Sequence, residues 1–161
     1  MKLYMKQKIF SWSDTFTVKD AAGEDKYFIE GEVFSFGKKL HVYDRSGRAV
    51  AFIHQKLWSF LPRYMVAVNG IDVAEIVKEF TFLRPKYSIL GPGWDVSGSF
   101  WEHDYEVTEN GRPIVAIRKE WMTWGDTYEL DIADSGNEVM ALAVVLAIDC
   151  VLDAQQNANN N

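Results

Sequence analysis

Residues 135–155 read SGNEVMALAVVLAIDCVLDAQ, and this stretch decides the fold. Every residue in 139–148 is apolar, so a helix here has no polar face before Asp149. A helix that is apolar on all sides must also be buried on all sides. A single flat sheet cannot surround such a rod, whereas a closed barrel can.

The residues in front of this stretch supply a helix start. Ser135 and Glu138 have capping-box spacing, in which the Ser side chain accepts from the third amide and the Glu reaches back. The pattern predicts a helix over 136–154, roughly 28 Å long. The remaining residues, 155–161, are polar and of low complexity, and we expect a disordered tail.

The preceding sequence is typical of short antiparallel strands. Trp101, His103, Tyr105 and Val107 alternate with acidic or polar residues, which gives one apolar face with a period of two. Turn signals such as Asn69-Gly70 separate the segments, and counting between them gives about twelve strands. The sequence therefore predicts a mainly β protein: a closed antiparallel barrel around a central hydrophobic C-terminal helix, with residues 1–154 as one domain.

Aromatic residues support this arrangement. The 161-residue chain has 6 Trp, 7 Tyr and 10 Phe, and all of them precede residue 129. Ala141, Ala143 and Ala147 keep the helix slim, so the strand aromatics are expected to fill the space around it.

Two segments of the chain resemble each other. Residues 43–68 and 107–132 align at a constant offset of 64, which pairs Gly47 with Gly111 and Tyr64 with Tyr128. The alignment also pairs Phe60 with Trp124. Two copies of one antiparallel unit are indicated.

Four long motifs carry a resemblance to a known family: KLHVYDRSGRAVAFIHQKLWSFLPRY at 39–64, FWEHDYEV at 100–107, WGDTYELDI at 124–132 and ALAVVLAIDCVLDAQ at 141–155. Together they resemble the LURP-one-related family over essentially the whole chain. The resemblance implies the Tubby C-terminal-like fold, a twelve-stranded barrel around a hydrophobic helix that phospholipid scramblases share. It implies no catalytic residues, since none are known across that family.

Charge and cysteine content exclude several classes of protein. The net charge of −6 disfavours a nucleic-acid binder. The segment Lys38–Arg63 has six basic residues and one acidic residue, an excess of +5. It could meet an anionic surface, although lysines also protect strand edges from pairing.

The single Cys150 excludes an internal disulfide and a cysteine zinc site. The N-terminus lacks a secretory signal. The apolar stretch, counted to Leu152, is shorter than the ~20 residues of a membrane span. We expect a cytoplasmic protein with no transmembrane segment.

Candidate chemistry in the sequence is weak. His103 lies between two acidic residues, but strand alternation would point their side chains to the opposite face, so a histidine packed among aromatics is favoured over a metal ligand. His41 and His54 have no recognisable partner. Cys150 is within the apolar helix, where a reactive thiolate is disfavoured.

Two Ser- and Gly-containing features lack the pattern of a phosphate-binding or nucleophile site. Gly91-Pro92-Gly93 cannot cradle phosphate as a P-loop does, because Pro92 has no amide hydrogen. Ser88, Ser97 and Ser99 flank this loop without the strand–loop–helix context of a nucleophile. The sequence predicts no enzyme activity, no catalytic residue and no cofactor.

Two acidic features remain. The loop 131–138 lies where scramblases are thought to bind calcium, but its spacing is not that of an EF-hand, and no metal site is predicted. Asp149 shares a helix face with Asp153 near a helix C-terminus, where the helix dipole disfavours anions. We expect Asp149 either to emerge at the barrel mouth or to pair with an inward Arg or Lys, rather than to handle protons.

The sequence favours a non-enzymatic binding or scaffold module of unknown ligand and partner. The alternative is a peripheral protein that binds phospholipid or phosphoinositide headgroups through Lys38–Arg63 at the cytoplasmic face of a membrane. Lipid scrambling would need a membrane-embedded element, and transcriptional regulation would need a DNA-reading element, and neither is recognisable.

Overall fold

The computed structural model describes residues 1–6, 15–32, 35–79, 81, 86–100, 102–122 and 125–159. These residues contain twelve β-strands, one short 3₁₀ turn and one long helix, joined by turns and loops. The strands are β1 (Lys2–Lys6), β2 (Phe16–Asp20), β3 (Asp25–Gly31), β4 (Lys39–Asp44), β5 (Ala49–Gln55), β6 (Arg63–Val68), β7 (Ile71–Glu79), β8 (Lys86–Leu90), β9 (Trp94–Ser99), β10 (Asp104–Glu109), β11 (Arg112–Met122) and β12 (Gly125–Ile132).

The strands form one antiparallel sheet that curls into a nearly closed barrel. Its order is β8-β7-β6-β5-β4-β3-β2-β1-β12-β11-β10-β9, so the first and last strands are neighbours in the middle of the sheet. Lys2 lies opposite Asp131 in that pairing. The seam lies between β8 and β9, which follow one another in the chain but are not joined as neighbours in the sheet. The predicted fold class is confirmed, with this seam as a refinement.

The helix α1 (Glu138–Asn159) is the core of the barrel. Every side chain from Ala141 to Ile148 has an exposed fraction of 0%, as the all-round apolar pattern predicts. The helix continues to Asn159, five residues past the predicted end at Ala154. The Tyr87 hydroxyl donates to Gln155 Oε1 at 2.9 Å, which holds this extension to β8.

Inward-facing strand residues fill the space around the helix. Of the aromatic side chains that the structure describes, seven are buried there: Tyr27, Tyr64, Tyr87, Trp94, Phe100, Tyr105 and Tyr128. Most of these are tyrosines, and β-branched residues such as Ile53 and Ile117 supply much of the remaining volume. The expectation that large strand residues pack around small helix residues is therefore correct, but Phe contributes little among the described residues.

The helix start differs from the predicted capping box. A short 3₁₀ turn, Ser135–Asn137, precedes α1, and Asp134 is its N-cap, with its carboxylate accepting from the Gly136 amide at 2.9 Å. Glu138 does not reach back. Its carboxylate accepts from the Tyr27 hydroxyl at 2.8 Å and pairs with Lys26 at 2.6 Å. Two residues of β3, Lys26 and Tyr27, thus bind Glu138 in place of the Ser135 amide that the capping box predicts.

The two similar segments adopt the same local structure. Gly47 and Gly111 both turn with a left-handed backbone, φ 79° and 77°. Tyr64 and Tyr128 are both fully buried, at 0% exposure. The pairing of Phe60 with Trp124 cannot be compared, because Trp124 lies outside the described residues.

The strand register gives the barrel two ends. At the turn end lie the tight connections 21–24, 45–48, 69–70, 91–93 and 110–111, together with the start of α1. The opposite end holds the loops 35–38 and 56–62 and the C-terminal half of α1. Lys38 pairs there with Asp153 of the helix.

Candidate functional site

Large apolar side chains are exposed at one end of the barrel. The loop between β5 and β6 carries Leu57, Trp58 and Phe60, and the loop before β4 carries Phe36. The exposed fractions of Phe36 and Phe60 are 92% and 97%, and Trp58 is fully exposed. We call these four residues the aromatic tip. An exposed apolar group of this size marks an interaction surface.

Sheet register brings the two loops of the aromatic tip together. Lys39 on β4 lies opposite His54 on β5, so the loop before β4 is adjacent to the loop after β5. The Gln55 amide donates to the Lys38 carbonyl at 2.8 Å, and the Lys38 amide donates to Gln55 Oε1 at 3.2 Å. A Cβ on Gly37 would lie 2.9 Å from Leu57 Cδ2, so the loops touch.

The longer loop is held by its own backbone. The Lys56 amide donates to the Arg63 carbonyl at 2.9 Å, which closes the base of the loop. The Ser59 hydroxyl lies 3.2 Å from the Lys56 carbonyl and 2.8 Å from the Leu61 carbonyl. Trp58 has φ 63°, in the left-handed region that is costly for a bulky residue. The polar groups thus face into the loop, and the rings of Trp58 and Phe60 face solvent.

A groove runs beside the aromatic tip. Its volume is 630 Å³, and Phe36 and Leu57 line it together with Lys39, His54 and Lys56. A separate cleft of 470 Å³ lies along β1 and β2, where Tyr4, Phe16 and Lys19 are among the lining residues.

The basic segment Lys38–Arg63 is electrostatically compensated. Each of its six basic side chains forms an ion pair: Lys38 with Asp153, Lys39 with Glu32 (3.1 Å), Arg45 with Asp20 (2.6 Å), Arg48 with Asp44 (3.0 Å), Lys56 with Glu75 (3.7 Å) and Arg63 with Glu75 (3.2 Å). Apart from Asp44, the acidic partners come from outside the segment. The local excess seen in the sequence is therefore largely neutralised in the fold.

Asp149 does not emerge from the barrel, and no Arg or Lys among the described residues pairs with it, so both expectations for it are wrong. The exposed fraction of Asp149 is 1%, and the helix continues for ten residues beyond it. Its carboxylate oxygens have no hydrogen-bond partner among the described residues. Burial raises the pKa of Asp149 to about 8, so the carboxyl is mainly protonated at neutral pH. Asp153, one turn later, takes the expected ion pair instead, with Lys38.

His103 is a titratable side chain that faces Asp149, with Nε2 3.6 Å from Asp149 Oδ1. Its ring stacks on Tyr128 at a centroid distance of 4.2 Å, as expected of a histidine packed among aromatics. The prediction that His103 lies on a strand is wrong, however, because β10 begins only at Asp104. His103 lies in a turn, with φ 52°. Burial lowers the pKa of His103 to about 4. Both members of the pair are thus neutral at pH 7.

The other histidines have partners that local sequence did not reveal. His41 Nε2 lies 2.7 Å from Glu32 Oε1, and the two residues are brought together by the pairing of β3 with β4. The rings of His41 and His54 each pack against Phe52, at 4.7 Å and 5.2 Å. Hydrogen bonds from His41 and then Lys39 lower the pKa of Glu32. These contacts join strands on the outer face.

The remaining candidates also have structural roles. Cys150 is buried, and burial raises the pKa of its thiol. The Ser88 hydroxyl donates to Glu79, while Ser97 and Ser99 lie on β9. Gly91-Pro92-Gly93 is the connection from β8 to β9. Among the described residues, no group of three or more His, Cys, Asp or Glu side chains is placed to hold a metal ion.

The acidic loop 131–138 uses its carboxylates internally. Asp134 caps the 3₁₀ turn, and Glu138 is bound by Tyr27 and Lys26. These contacts account for two of its acidic side chains without a metal ion.

One helix is long and apolar enough to cross a membrane. It spans Ser135–Gln155, and most of it is buried inside the barrel. The apolar stretch itself, from Val139 to Leu152, has the 14 residues counted in the sequence, and the longer span is reached by including the polar residues at the helix ends. Its apolar surface is already in contact with the strands.

These features define a class of protein: a nearly closed antiparallel β-barrel around one buried C-terminal helix, with an aromatic tip at one end. The family model described as LURP-one-related matches residues 1–149. The chain therefore belongs to the LURP-one-related family, as its motifs predicted.

Two known proteins are similar over nearly the whole chain. The uncharacterised protein YxjI of Bacillus subtilis (strain 168) is 36% identical over 152 residues, which are 94% of each chain. A protein of Arabidopsis thaliana with an X-ray structure has a TM-score of 0.61 at 15% identity, covering 92% of this chain and 89% of the plant chain. The latter likeness establishes a shared fold alone. The Tubby C-terminal-like relationship stays a prediction.

Proposed function

We propose that this protein is a non-enzymatic barrel module that binds reversibly to a membrane surface, at the cytoplasmic face, by inserting the aromatic tip. The observation that carries the proposal is the near-complete exposure of Phe36, Trp58 and Phe60 on two adjacent loops. Trp and Phe prefer the boundary between headgroups and acyl chains, where an apolar ring can leave water.

The shape of the aromatic tip favours a bilayer over a protein partner. Protein interfaces bury their aromatic anchors in complementary pockets and surround them with a close-packed rim. Phe36, Trp58 and Phe60 instead protrude separately from loop tips, and the small residues Ser35, Gly37 and Ser59 lie next to them in the sequence. A fluid bilayer accommodates such separate projections without a matching surface.

The energetics agree with reversible binding. Burying one large apolar side chain is worth about 1.5–3 kcal/mol, so three rings supply several kcal/mol before the costs of association. That total is of the same order as a single acyl anchor, which gives marginal and reversible attachment.

The non-enzymatic part of the proposal rests on the environment of the reactive side chains. Asp149 and Cys150 are buried against the strands, and His103 stacks on Tyr128. No substrate could reach Asp149 or Cys150 without opening the barrel. Their burial supports a role in the core rather than in catalysis.

Co-sedimentation with fluid phosphatidylcholine vesicles, with and without anionic phosphatidylserine, tests the proposal. The native protein is expected to bind, with a blue shift in tryptophan emission. Trp58→Ser should weaken binding at least about tenfold, because about 1.4 kcal/mol corresponds to a factor of ten.

Ile71→Ser is the matched control. Ile71 is also an exposed apolar residue, at 68%, but it lies at the turn end. Its replacement should leave vesicle binding unchanged. If the native protein binds no vesicle of either composition, the membrane proposal is wrong, and a soluble module with a protein ligand takes its place.

A further inference from the structure

We propose that the aromatic tip recognises exposed hydrocarbon in loosely packed bilayers, rather than the charge of anionic headgroups. This inference rests on the proposed function and specifies the feature of the membrane that is bound. It assigns the selectivity to Phe36, Trp58 and Phe60 and not to the basic segment Lys38–Arg63.

The basic side chains nearest the aromatic tip already have acidic partners. Lys56 and Arg63 share the carboxylate of Glu75, at 3.7 Å and 3.2 Å. Lys39 pairs with Glu32 at 3.1 Å. An anionic headgroup would have to compete with these carboxylates, and its net gain in Coulomb energy would be small.

Lys38 is also engaged, because it pairs with Asp153 of α1. Its side chain is directed to the helix that fills the barrel, and the Asp153 side chain is only 8% exposed. The two residues therefore join the loop before β4 to the core. A headgroup that captured Lys38 would leave a nearly buried carboxylate without this partner, which is costly.

The charge of the whole chain acts in the same direction. The net charge is −6, so an anionic bilayer repels the molecule at long range. Attraction must then come from a short-range, uncharged source. The three exposed rings are such a source, because gain from apolar burial does not depend on the sign of the surface charge.

Insertion requires space between headgroups. Ring-bearing loops enter a bilayer most readily where the headgroups are spread and acyl chains are exposed, as in strongly curved or highly unsaturated membranes. The neighbouring residues Ser35, Gly37 and Ser59 are small, so each ring can enter without carrying a bulky charged group. Loose packing is thus the membrane property that this surface fits.

The test measures the affinity for three kinds of vesicle by tryptophan fluorescence and co-sedimentation. These are large vesicles of palmitoyl-oleoyl phosphatidylcholine, small vesicles of dioleoyl phosphatidylcholine, and large vesicles in which about one lipid in five is phosphatidylserine. Each series is repeated from about 0.01 M to about 0.15 M NaCl, which shortens the Debye length from about 30 Å to about 8 Å.

We expect the small dioleoyl vesicles to bind at least about tenfold more tightly than the large ones, as for a contact worth about 1.4 kcal/mol or more. Phosphatidylserine and salt should each change the affinity by less than about twofold, because no screened charge dominates the contact. Trp58→Ser should remove the preference for small vesicles. Lys39→Gln should leave it intact, since Glu32 keeps His41 as a partner.

Two results would overturn the inference. Binding confined to phosphatidylserine vesicles, with an affinity that falls steeply with salt, would identify the headgroup as the ligand and leave the proposed function standing. A large loss of affinity in Lys39→Gln would point to the same conclusion. Absence of binding to all three vesicles would instead reject the proposed function itself.

Discussion

The two ends of the barrel are built from the same twelve strands but differ in the contacts that the side chains of their connecting turns and loops make. At the turn end, Asp44 accepts from the amides of Ser46 and Arg48 at 2.9 Å and 3.1 Å, and its carboxylate pairs with the Arg48 side chain. At the other end, Trp58 and Phe60 project into solvent without such partners on their rings. At the turn end, a side chain such as Asp44 binds the backbone that closes a hairpin. At the aromatic tip, the apolar side chains stay exposed to solvent.

The buried carboxyl groups of the helix repeat this difference. Glu138, at the turn end, is held by the Tyr27 hydroxyl and Lys26. Asp149, in the C-terminal half, faces His103 at 3.6 Å and forms no hydrogen bond within the described part of the chain. Glu138 at the helix start thus has polar partners, whereas Asp149 is buried without a hydrogen bond among the described residues. Asp153, one turn further towards the aromatic tip, again has an ion pair, with Lys38.

The largest expected effect comes from a pair of glycines at the two ends. A Cβ on Gly91, at the turn end, would lie 2.7 Å from the Val73 carbonyl oxygen, with φ 113°. The nearest atom to a Cβ on Gly37 would be the flexible end of Leu57, at 2.9 Å, with Gln55 Cβ at 3.4 Å. Gly91→Ala should cost about 2–4 kcal/mol of unfolding free energy, and Gly37→Ala about 1–2 kcal/mol.

Urea denaturation of both variants measures this difference. Equal losses would mean that the backbone at the turn end can move as easily as an exposed side chain. The two ends would then not differ in rigidity.

The next effect concerns Asp149 and pH. Its pKa is raised from 3.8 to about 8 in the folded protein, so its contribution to stability is complete at low pH and is lost as the pH rises towards 8. The pKa of His103 is lowered from 6.5 to about 4, and its contribution changes only below pH 6.5. Of these two groups, therefore, only Asp149 changes the free energy of unfolding between pH 6.5 and 8.

In that interval the native protein should lose up to about 1.4 kcal/mol per pH unit relative to Asp149→Asn, which has no proton to lose. Urea denaturation at several pH values checks the difference. Parallel curves for the two proteins would show that Asp149 is ionised at neutral pH and has a partner. In that event the carboxyl group of Asp149 would have a polar partner, as that of Glu138 has at the helix start.

The smallest expected effects on the unfolding free energy come from one variant in a tight turn and one variant in the aromatic tip. Asp44→Ala removes a side chain that binds two amides, and it should cost about 1 kcal/mol. Trp58→Ser removes a fully exposed ring and should change the unfolding free energy by less than about 0.5 kcal/mol. Thermal denaturation of both variants tests this order. A marked loss of stability in Trp58→Ser would show that the ring packs on the barrel and is not available to a membrane.

Much of the fold could be predicted from sequence because its main signals are local. The run 139–148 has no polar residue, so its complete burial followed directly. Strand alternation and turns at Gly47 and Gly111 gave the number of strands. The seam between β8 and β9 could not be predicted, since both edges have ordinary strand sequences. The helix extension to Asn159 depends on Tyr87, a tertiary contact.

The candidate site was less accessible to the same reasoning. Phe36, Trp58 and Phe60 look like strand or core residues in a sequence rich in aromatics, and only their placement on loops reveals them. The basic segment was visible, but its neutralisation depends on Glu75, Glu32 and Asp153, which pairing between strands and helix brings into contact. The available signal was the segment 56–62, in which four large apolar residues, Leu57, Trp58, Phe60 and Leu61, stand directly before Pro62.

The position of α1 after all twelve strands has a consequence for synthesis. The segment that fills the barrel is translated after all twelve strands, and β1 has neighbours on both sides only once β12 is made. Until residues 138–159 leave the ribosome, the inward faces of the strands have no core to cover them. Folding dominated by such distant contacts is slow and exposes apolar surface. The nascent chain should therefore be a client of chaperones, and the barrel should assemble only after translation of the helix.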